Sequence, residues 1–170
     1  LLGLYYKEVS SYPVGYERVI DLYPLDFEEF LWGVGIKKET IEFIRKSFID
    51  KREIDEYILK QFSEQFKMYI LVGGMPNIVE EYIKTSSLSK VLEMQKAIVE
   101  NYILDVVKFA DKNDKQKIIN TFNSIPMQLS KKNKKFLYRD INKEDANASE
   151  RKYSSSVEWL KDAGLINFCY

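Results

Sequence analysis

Residues 69–82 read YILVGGMPNIVEEY, and the four residues in the middle decide how the chain is organised. Loop punctuation of the Gly-Gly and Pro kind normally sits among polar residues. Here Tyr69, Ile70, Leu71 and Val72 precede it and Ile78, Val79 and Tyr82 follow it, so the break is expected to be buried or held against another segment. Gly73-Gly74 ends one helical pattern. Pro76 fits the first turn of the next, where its missing N–H costs nothing. Two amphipathic helices meeting at an apolar Gly-Gly-Met-Pro joint point to a helical bundle.

Working outward, the same period recurs. Upstream, Glu53–Leu71 places Ile54, Ile58, Phe62, Gln65/Phe66 and Tyr69 along one face. Before that, residues 38–49 (KETIEFIRKSFI) carry Ile41, Ile44 and Phe48 at helical spacing. Asp26 is placed to cap a short helix, with Glu28 and Glu29 suiting the positive end of its dipole, Phe27, Phe30 and Leu31 as its apolar face, and Gly33 and Gly35 ending it. Glu28 and Glu29 project about 100° apart on a helix and read as dipole partners, not a catalytic pair. Residues 17–23 (ERVIDLY) alternate like a strand that Pro24 stops. Downstream of the joint, Pro76–Ile83 is one helix and Leu88–Ala110 another, with Val91, Leu92, Met94, Ile98, Tyr102 and Val106 in a stripe.

The last third follows a different pattern. Residues 114–125 predict a helix with Ile118, Ile119 and Phe122 inward, ended by Pro126. A basic loop, Lys131-Lys132-Asn133-Lys134-Lys135, leads into a short strand at Phe136-Leu137-Tyr138, followed by a short helix near Asp140–Lys143 and a DANAS turn. A helix over Glu150–Ala163 turns Tyr153, Val157 and Trp159/Leu160 inward, and residues 165–170 (LINFCY) alternate like a strand. That order is the order of a winged helix with a truncated wing. The expected fold is therefore mainly α: residues 1–25 end in a short strand, 26–110 form a helical bundle, and 111–170 an incomplete winged helix.

Composition narrows the chemistry. The 170 residues are 45% hydrophobic and 14% aromatic, enough for a real core. There is no histidine and a single cysteine, Cys169, so an internal disulfide, a Cys/His zinc site and a histidine general base are excluded. The cysteine usage points to a reducing cytoplasm. No apolar run reaches the roughly 18 residues of a membrane span, and the N-terminus lacks the features of a signal peptide. A chain that opens on Leu1-Leu2-Gly3 without Met reads as a piece of a longer protein. Net charge is zero, but residues 1–110 hold 14 Lys/Arg against 18 Asp/Glu and residues 111–170 hold 12 against 8. The second region is the better candidate for a polyanion, though its excess is small for a dedicated nucleic-acid binder.

The residues Ser11-Tyr12-Pro13-Val14-Gly15, then residues 22–31 (LYPLDFEEFL), Gly73-Gly74-Met75-Pro76, residues 124–129 (SIPMQL), Lys135-Phe136 and residues 158–165 (EWLKDAGL) form an ordered series across the chain. In that order they resemble the predicted AAA-type P-loop ATPases of bacteria and archaea. Members of that family carry an ATPase core, a helical lid, a winged helix and a nuclease-like C-terminal domain. The resemblance implies that residues 1–25 are the end of an ATPase core and 26–110 its lid. The resemblance implies that the intact protein binds ATP and Mg²⁺ between core and lid, and that the winged helix passes the nucleotide state to a downstream domain or a partner. The G-x-x-x-x-G-K-[ST] loop and the acidic strand of the family are expected upstream of Leu1. The nearest local candidate, residues 33–38 (GVGIKK), has the wrong spacing and reads as a helix-ending turn. These 170 residues alone are expected to be inactive and to hold no cofactor.

The resemblance assigns the nucleotide contact to Gly74, Met75 and Pro76, against the adenine ring, with Pro13 and Gly15 nearby. A glycine lets backbone approach a flat base and proline offers a rigid apolar face. The alternative is a plain connector, with Gly73-Gly74 as a C-cap and Pro76 as a first-turn residue. Where the family often has a basic residue directly after the Pro-x-Gly, Tyr16-Glu17 intervene here before Arg18. In the second region Lys131, Lys132, Lys134, Lys135 and Arg139 are the candidate nucleic-acid contacts, each phosphate contact adding to a weak, salt-dependent affinity; the alternative is a solvated loop. Helix 150–163 offsets Arg151, Lys152 and Lys161 with Glu150, Glu158 and Asp162. That balance leaves open a protein partner or self-association.

Overall fold

The computed structural model describes Ile20 and residues 22–169. The fold is mainly α, and among the described residues there is no strand. The helices are α1 (Phe27–Gly33), α2 (Lys38–Ile49), α3 (Glu56–Val72), α4 (Pro76–Thr85), α5 (Leu88–Phe109), α6 (Lys115–Leu129) and α7 (Glu150–Asp162), with a 3-10 turn at Tyr138–Asp140. They form two compact units that divide between Ile98 and Val99, inside α5.

The N-terminal unit is built on α1. Asp26 and Glu29 make a reciprocal cap: the Glu29 N–H donates to Asp26 Oδ1 at 2.8 Å and the Asp26 N–H donates to Glu29 Oε2 at 2.9 Å. A cap of this kind is worth about 1 kcal/mol. It fixes the helix that buries Phe30 against Val72, Ile78, Val79 and Val91. Aromatic rings surround that centre, with Phe27 edge-on to Phe66 at 5.1 Å and Phe30 stacked on Tyr82 at 6.2 Å. α2 is tied to α1 by Arg45, which bridges Glu28 at 2.5 Å and Glu42 at 2.6 Å. Its expected inward face is corrected at one position: Ile41 is buried, but Phe48 is 82% exposed and Ser47 is buried instead. The chain reverses immediately afterwards, with Lys51 at φ 55° and the Arg52 N–H donating to the Ser47 carbonyl at 2.8 Å, and that turn takes Ser47 inward.

In the C-terminal unit α6 packs on α7. Val106 and Ala110 of α5 join Ile118 and Leu160 in its core, with Phe122, Trp159, Leu165 and Ile166 around them. Pro126 does not end α6, which runs one turn further, to Leu129. That last turn is held from outside its own ladder: the buried Gln128 donates through Nε2 to Ser124 Oγ at 3.3 Å and accepts the Leu137 N–H through Oε1 at 2.7 Å. The strands expected at residues 136–138 and 165–169 carry no ladder. Residues 134–137 have no regular structure and Tyr138 enters the 3-10 turn, while Leu165 and Ile166 pack into the core as irregular chain. A short strand without a partner gains no stability from its pattern. Most of the strand expected at residues 17–23 lies outside the described residues; Ile20, Leu22 and Tyr23 have no regular structure and are exposed.

Candidate functional site

The Gly-Gly-Met-Pro joint is held against a second segment, although Ile70 and Leu71 before it are exposed. α3 ends at Gly73, whose φ of 76° and ψ of −175° suit glycine alone. Its N–H donates to the Tyr69 carbonyl at 2.7 Å. The next residue meets the chain leading into α1: the Leu25 N–H donates to the Gly74 carbonyl at 2.7 Å, and the Tyr69 hydroxyl donates to the Leu25 carbonyl at 2.9 Å. A Cβ on Gly74 would lie 2.2 Å from the Leu25 carbonyl oxygen and 3.0 Å from Pro24 Cβ. The close approach that glycine permits is thus used on Pro24-Leu25. From the other side Gln95 of α5 donates through Nε2 to the Leu71 and Val72 carbonyls at 2.9 and 3.1 Å, satisfying acceptors that a helix C-terminus leaves open.

Apolar side chains next to the crossing in sequence are nevertheless exposed. Met75 is 38% exposed and Pro76 is exposed. On the opposing segment Leu22 and Tyr23, adjacent to Pro24, are 95% and 75% exposed. Pro76 opens α4, and the first turn of a helix leaves N–H groups without helical acceptors. Pro13 and Gly15, the other expected nucleotide contacts, lie outside the described residues, as does Arg18. Gly74 is therefore brought against Pro24 and Leu25, partners that spacing alone did not reveal.

The five basic candidates of the C-terminal unit do not act alike. Lys131 Nζ lies 2.7 Å from Asp140 Oδ2, and Arg139 Nε lies 3.9 Å from Asp140 Oδ1. The hydrogen bond from Lys131, with the fields of Lys131, Arg139 and Lys143, holds the Asp140 carboxyl below its usual range despite some desolvation. Lys132, Lys134 and Lys135 are exposed and make no ion pair among the described residues. Tyr138 packs edge-on against Phe136 at 5.4 Å. Burial, and after it the charges of Glu150 and Glu158, push its hydroxyl above its usual range, so acids of α7 face this side of the loop. Beyond it, the DANAS turn is pinned by Asp145, which lies 2.7 Å from Lys152 Nζ and accepts from the Tyr153 hydroxyl at 2.9 Å. The Lys152 bond first, then the Tyr153 bond, lowers the Asp145 pKa.

Two open clefts lie elsewhere. One, of about 1040 Å³, is lined by Phe48, Arg52, Ile54 and Leu59 at the α2–α3 turn. The other, of about 500 Å³, is lined by Gln116, Asn120, Met127 and Asn142 beside α6. Neither contains the crossing or the unpaired lysines. Among the described residues no group of three Asp, Glu or Cys converges to hold a metal ion, and no helix is long and apolar enough to cross a membrane.

A family model described as a domain of unknown function, DUF8612, matches residues 63–170. The chain belongs to the DUF8612 family. The DUF8612 match begins within α3 and includes Gly73–Pro76, Gln95, the lysine loop and all of the C-terminal unit. Pro24 and Leu25, the other side of the crossing, lie before it. No curated protein and no solved structure matches the chain.

Proposed function

We propose that this region is the lid and winged-helix part of an ATP-binding P-loop ATPase, contributing an apolar wall to the adenine and coupling the nucleotide state to a downstream domain or partner. The observation that carries the reading is the exposed Met75-Pro76 surface at the start of α4, directly after the Gly74 that is hydrogen-bonded to Leu25. Preorganised apolar surface of this kind favours a flat base, because no ordering cost is left to meet on binding. The fit rests on Met75 and Pro76. Gly74 supports it from behind, since its own close contact is with Leu25.

ATP would bring the phosphoryl chemistry. In this reading Mg²⁺ and the phosphates are held by a phosphate loop and acidic strand upstream of Leu1, so the 170 residues by themselves turn over no ATP. The order of the motifs from Pro13 to Leu165 supports the assignment, and so does the exposed apolar run Ile20, Leu22 and Tyr23, which alternates as a strand would before joining a sheet. Residence in the cytoplasm belongs to the same proposal.

The test is Pro76→Ala in the full-length protein. Weakened ATP binding with an unchanged melting midpoint supports the adenine contact. A lowered midpoint with unchanged nucleotide affinity makes Pro76 a connector residue and removes the lid assignment.

A further inference from the structure

We propose that the loop between Lys131 and Asp140 is a preorganised phosphate-contact loop for duplex DNA, with Lys132, Lys134 and Lys135 as its contacts. Lys131 and Asp140 close its two ends with an ion pair at 2.7 Å. Gln128, 1% exposed, accepts the Leu137 N–H at 2.7 Å and fixes the middle. Gln128 is itself braced by a polar series buried in α6: Ser124 Oγ receives its Nε2 at 3.3 Å and donates to the Thr121 carbonyl at 2.8 Å, and Thr121 Oγ1 donates to the Lys117 carbonyl at 2.8 Å. Thr121, Ser124 and Gln128 are all buried. A core that gives three positions to polar side chains in order to position a surface loop differs from one that leaves the loop solvated and free.

What the loop displays is charge of one sign. From Lys131 to Arg139 there are five basic residues and no acid. Asp140 engages the two outer ones and leaves Lys132, Lys134 and Lys135 facing solvent. Anchoring the chain on either side of them, at Lys131 and at Leu137, lowers the ordering cost of placing several ammonium groups at once. Lysine is a point charge suited to phosphate, without the planar fork that reads a base edge. The acids Glu150 and Glu158, whose charges reach Tyr138, disfavour insertion of the adjacent α7 face into a groove. The contact is therefore to backbone phosphates and independent of sequence. An anionic membrane fits less well: surface binding needs an extended inserted apolar face beside the cations, and from Met127 to Asp140 only Met127, Leu129 and Leu137 are exposed apolar side chains, Phe136 and Tyr138 being half-buried against each other.

The experiment is fluorescence anisotropy of a labelled duplex titrated with the 170-residue chain across a salt series. The expected Kd is about 10⁻⁴ to 10⁻⁶ M, with log K falling against log salt at about −0.9 for each of the three phosphates. Replacing Lys132, Lys134 and Lys135 together with Gln removes that slope and weakens binding about tenfold or more at low salt, with thermal unfolding unchanged because all three are exposed. Gln128→Leu keeps every charge but frees the loop, and is expected to weaken binding while leaving the slope. Absence of any shift at low salt, an unchanged slope in the triple variant, or tighter binding to anionic phosphatidylserine vesicles than to the duplex overturns the proposal. Undiminished binding by a folded Gln128→Leu protein overturns the preorganisation on which it rests.

Discussion

The Gly73–Pro76 crossing and the Lys131–Asp140 loop are both irregular segments fixed in one conformation, and they are fixed by opposite means. At the crossing two backbones touch: a peptide N–H of one meets a peptide carbonyl of the other, and the absence of a Cβ on Gly74 makes the contact sterically available. At the loop a side chain does the fixing, through a buried amide that substitutes for a neighbouring strand. Backbone contact in an apolar surrounding tolerates no added atom. A side-chain clamp tolerates change in the loop it holds but not in the clamp.

The most disruptive test of that contrast is Gly74→Ala. With the Leu25 carbonyl 2.2 Å from the new Cβ, and a backbone atom unable to swing aside, the loss is expected at about 3 kcal/mol, the upper end of ordinary overpacking, measured by urea unfolding. Gly73→Ala is a useful companion, since nothing lies within 4 Å of its Cβ and only its positive φ is strained, a cost of about 1–3 kcal/mol. Full tolerance at Gly74 would remove the backbone crossing as the basis of the N-terminal unit.

Gln128→Leu tests the clamp. It leaves the Leu137 N–H without its acceptor and should cost about 1–3 kcal/mol. Hydrogen exchange at the Leu137 amide should accelerate while exchange across the crossing stays as it was. If both accelerate together, the two segments are not independently held.

Acid sharpens the comparison further. The Asp140 and Asp145 carboxyls have folded pKa values lowered by Lys131 and by Lys152 with Tyr153. A lowered folded pKa contributes stability that is fully present above the unfolded value of about 3.9 and is lost as pH falls through the folded one. Below about pH 4 the C-terminal unit should therefore lose protection at residues 131–153. The crossing, whose contacts involve no carboxylate, should lose none over the same window. Equal loss at the crossing and at residues 131–153, followed by NMR, would contradict this.

The smallest effect is expected at Ser156. Its hydroxyl is buried without a hydrogen-bond partner among the described residues, so Ser156→Ala should be neutral or slightly stabilising, within about 1 kcal/mol. A clear destabilisation would reveal an acceptor that the α6–α7 packing hides.

Much of this was legible from local chemistry. Asp26 with Glu29 three residues on marked the start of α1, and Pro76 after two glycines marked the start of α4, because caps and first-turn prolines act within one turn of chain. Apolar period placed Phe30, Val91, Val106, Ile118, Tyr153 and Leu160 inward, and all are buried. The same signal failed at Phe48, where adjacent positions compete for the edge of one stripe and the turn at Lys51 decides between them. It failed again at Leu92, which is 51% exposed, and the proline stop expected at Pro126 failed because proline removes one ladder bond while Gln128 holds the next turn. Gln128 carried a faint signal of its own, as the polar member of a Thr121, Ser124, Gln128 series at helical spacing.

The sequence by itself determined the mainly helical fold, the starts of α1 and α4, most of the apolar faces and the expectation that the Gly-Gly-Met-Pro joint is held against something, because each depends on interactions within a few residues. Only the tertiary structure decided that Leu25 is what holds it, that Gln95 closes the end of α3, and that Asp140 takes two of the five basic residues while Gln128 holds the loop presenting the other three. Of these, the contacts of Leu25 and Gln95 join residues 23 to 49 positions apart in the chain. Those of Asp140 and Gln128 reach across a loop whose path no repeat in the sequence specifies; such contacts form only once helices, turn and loop have been packed into one place.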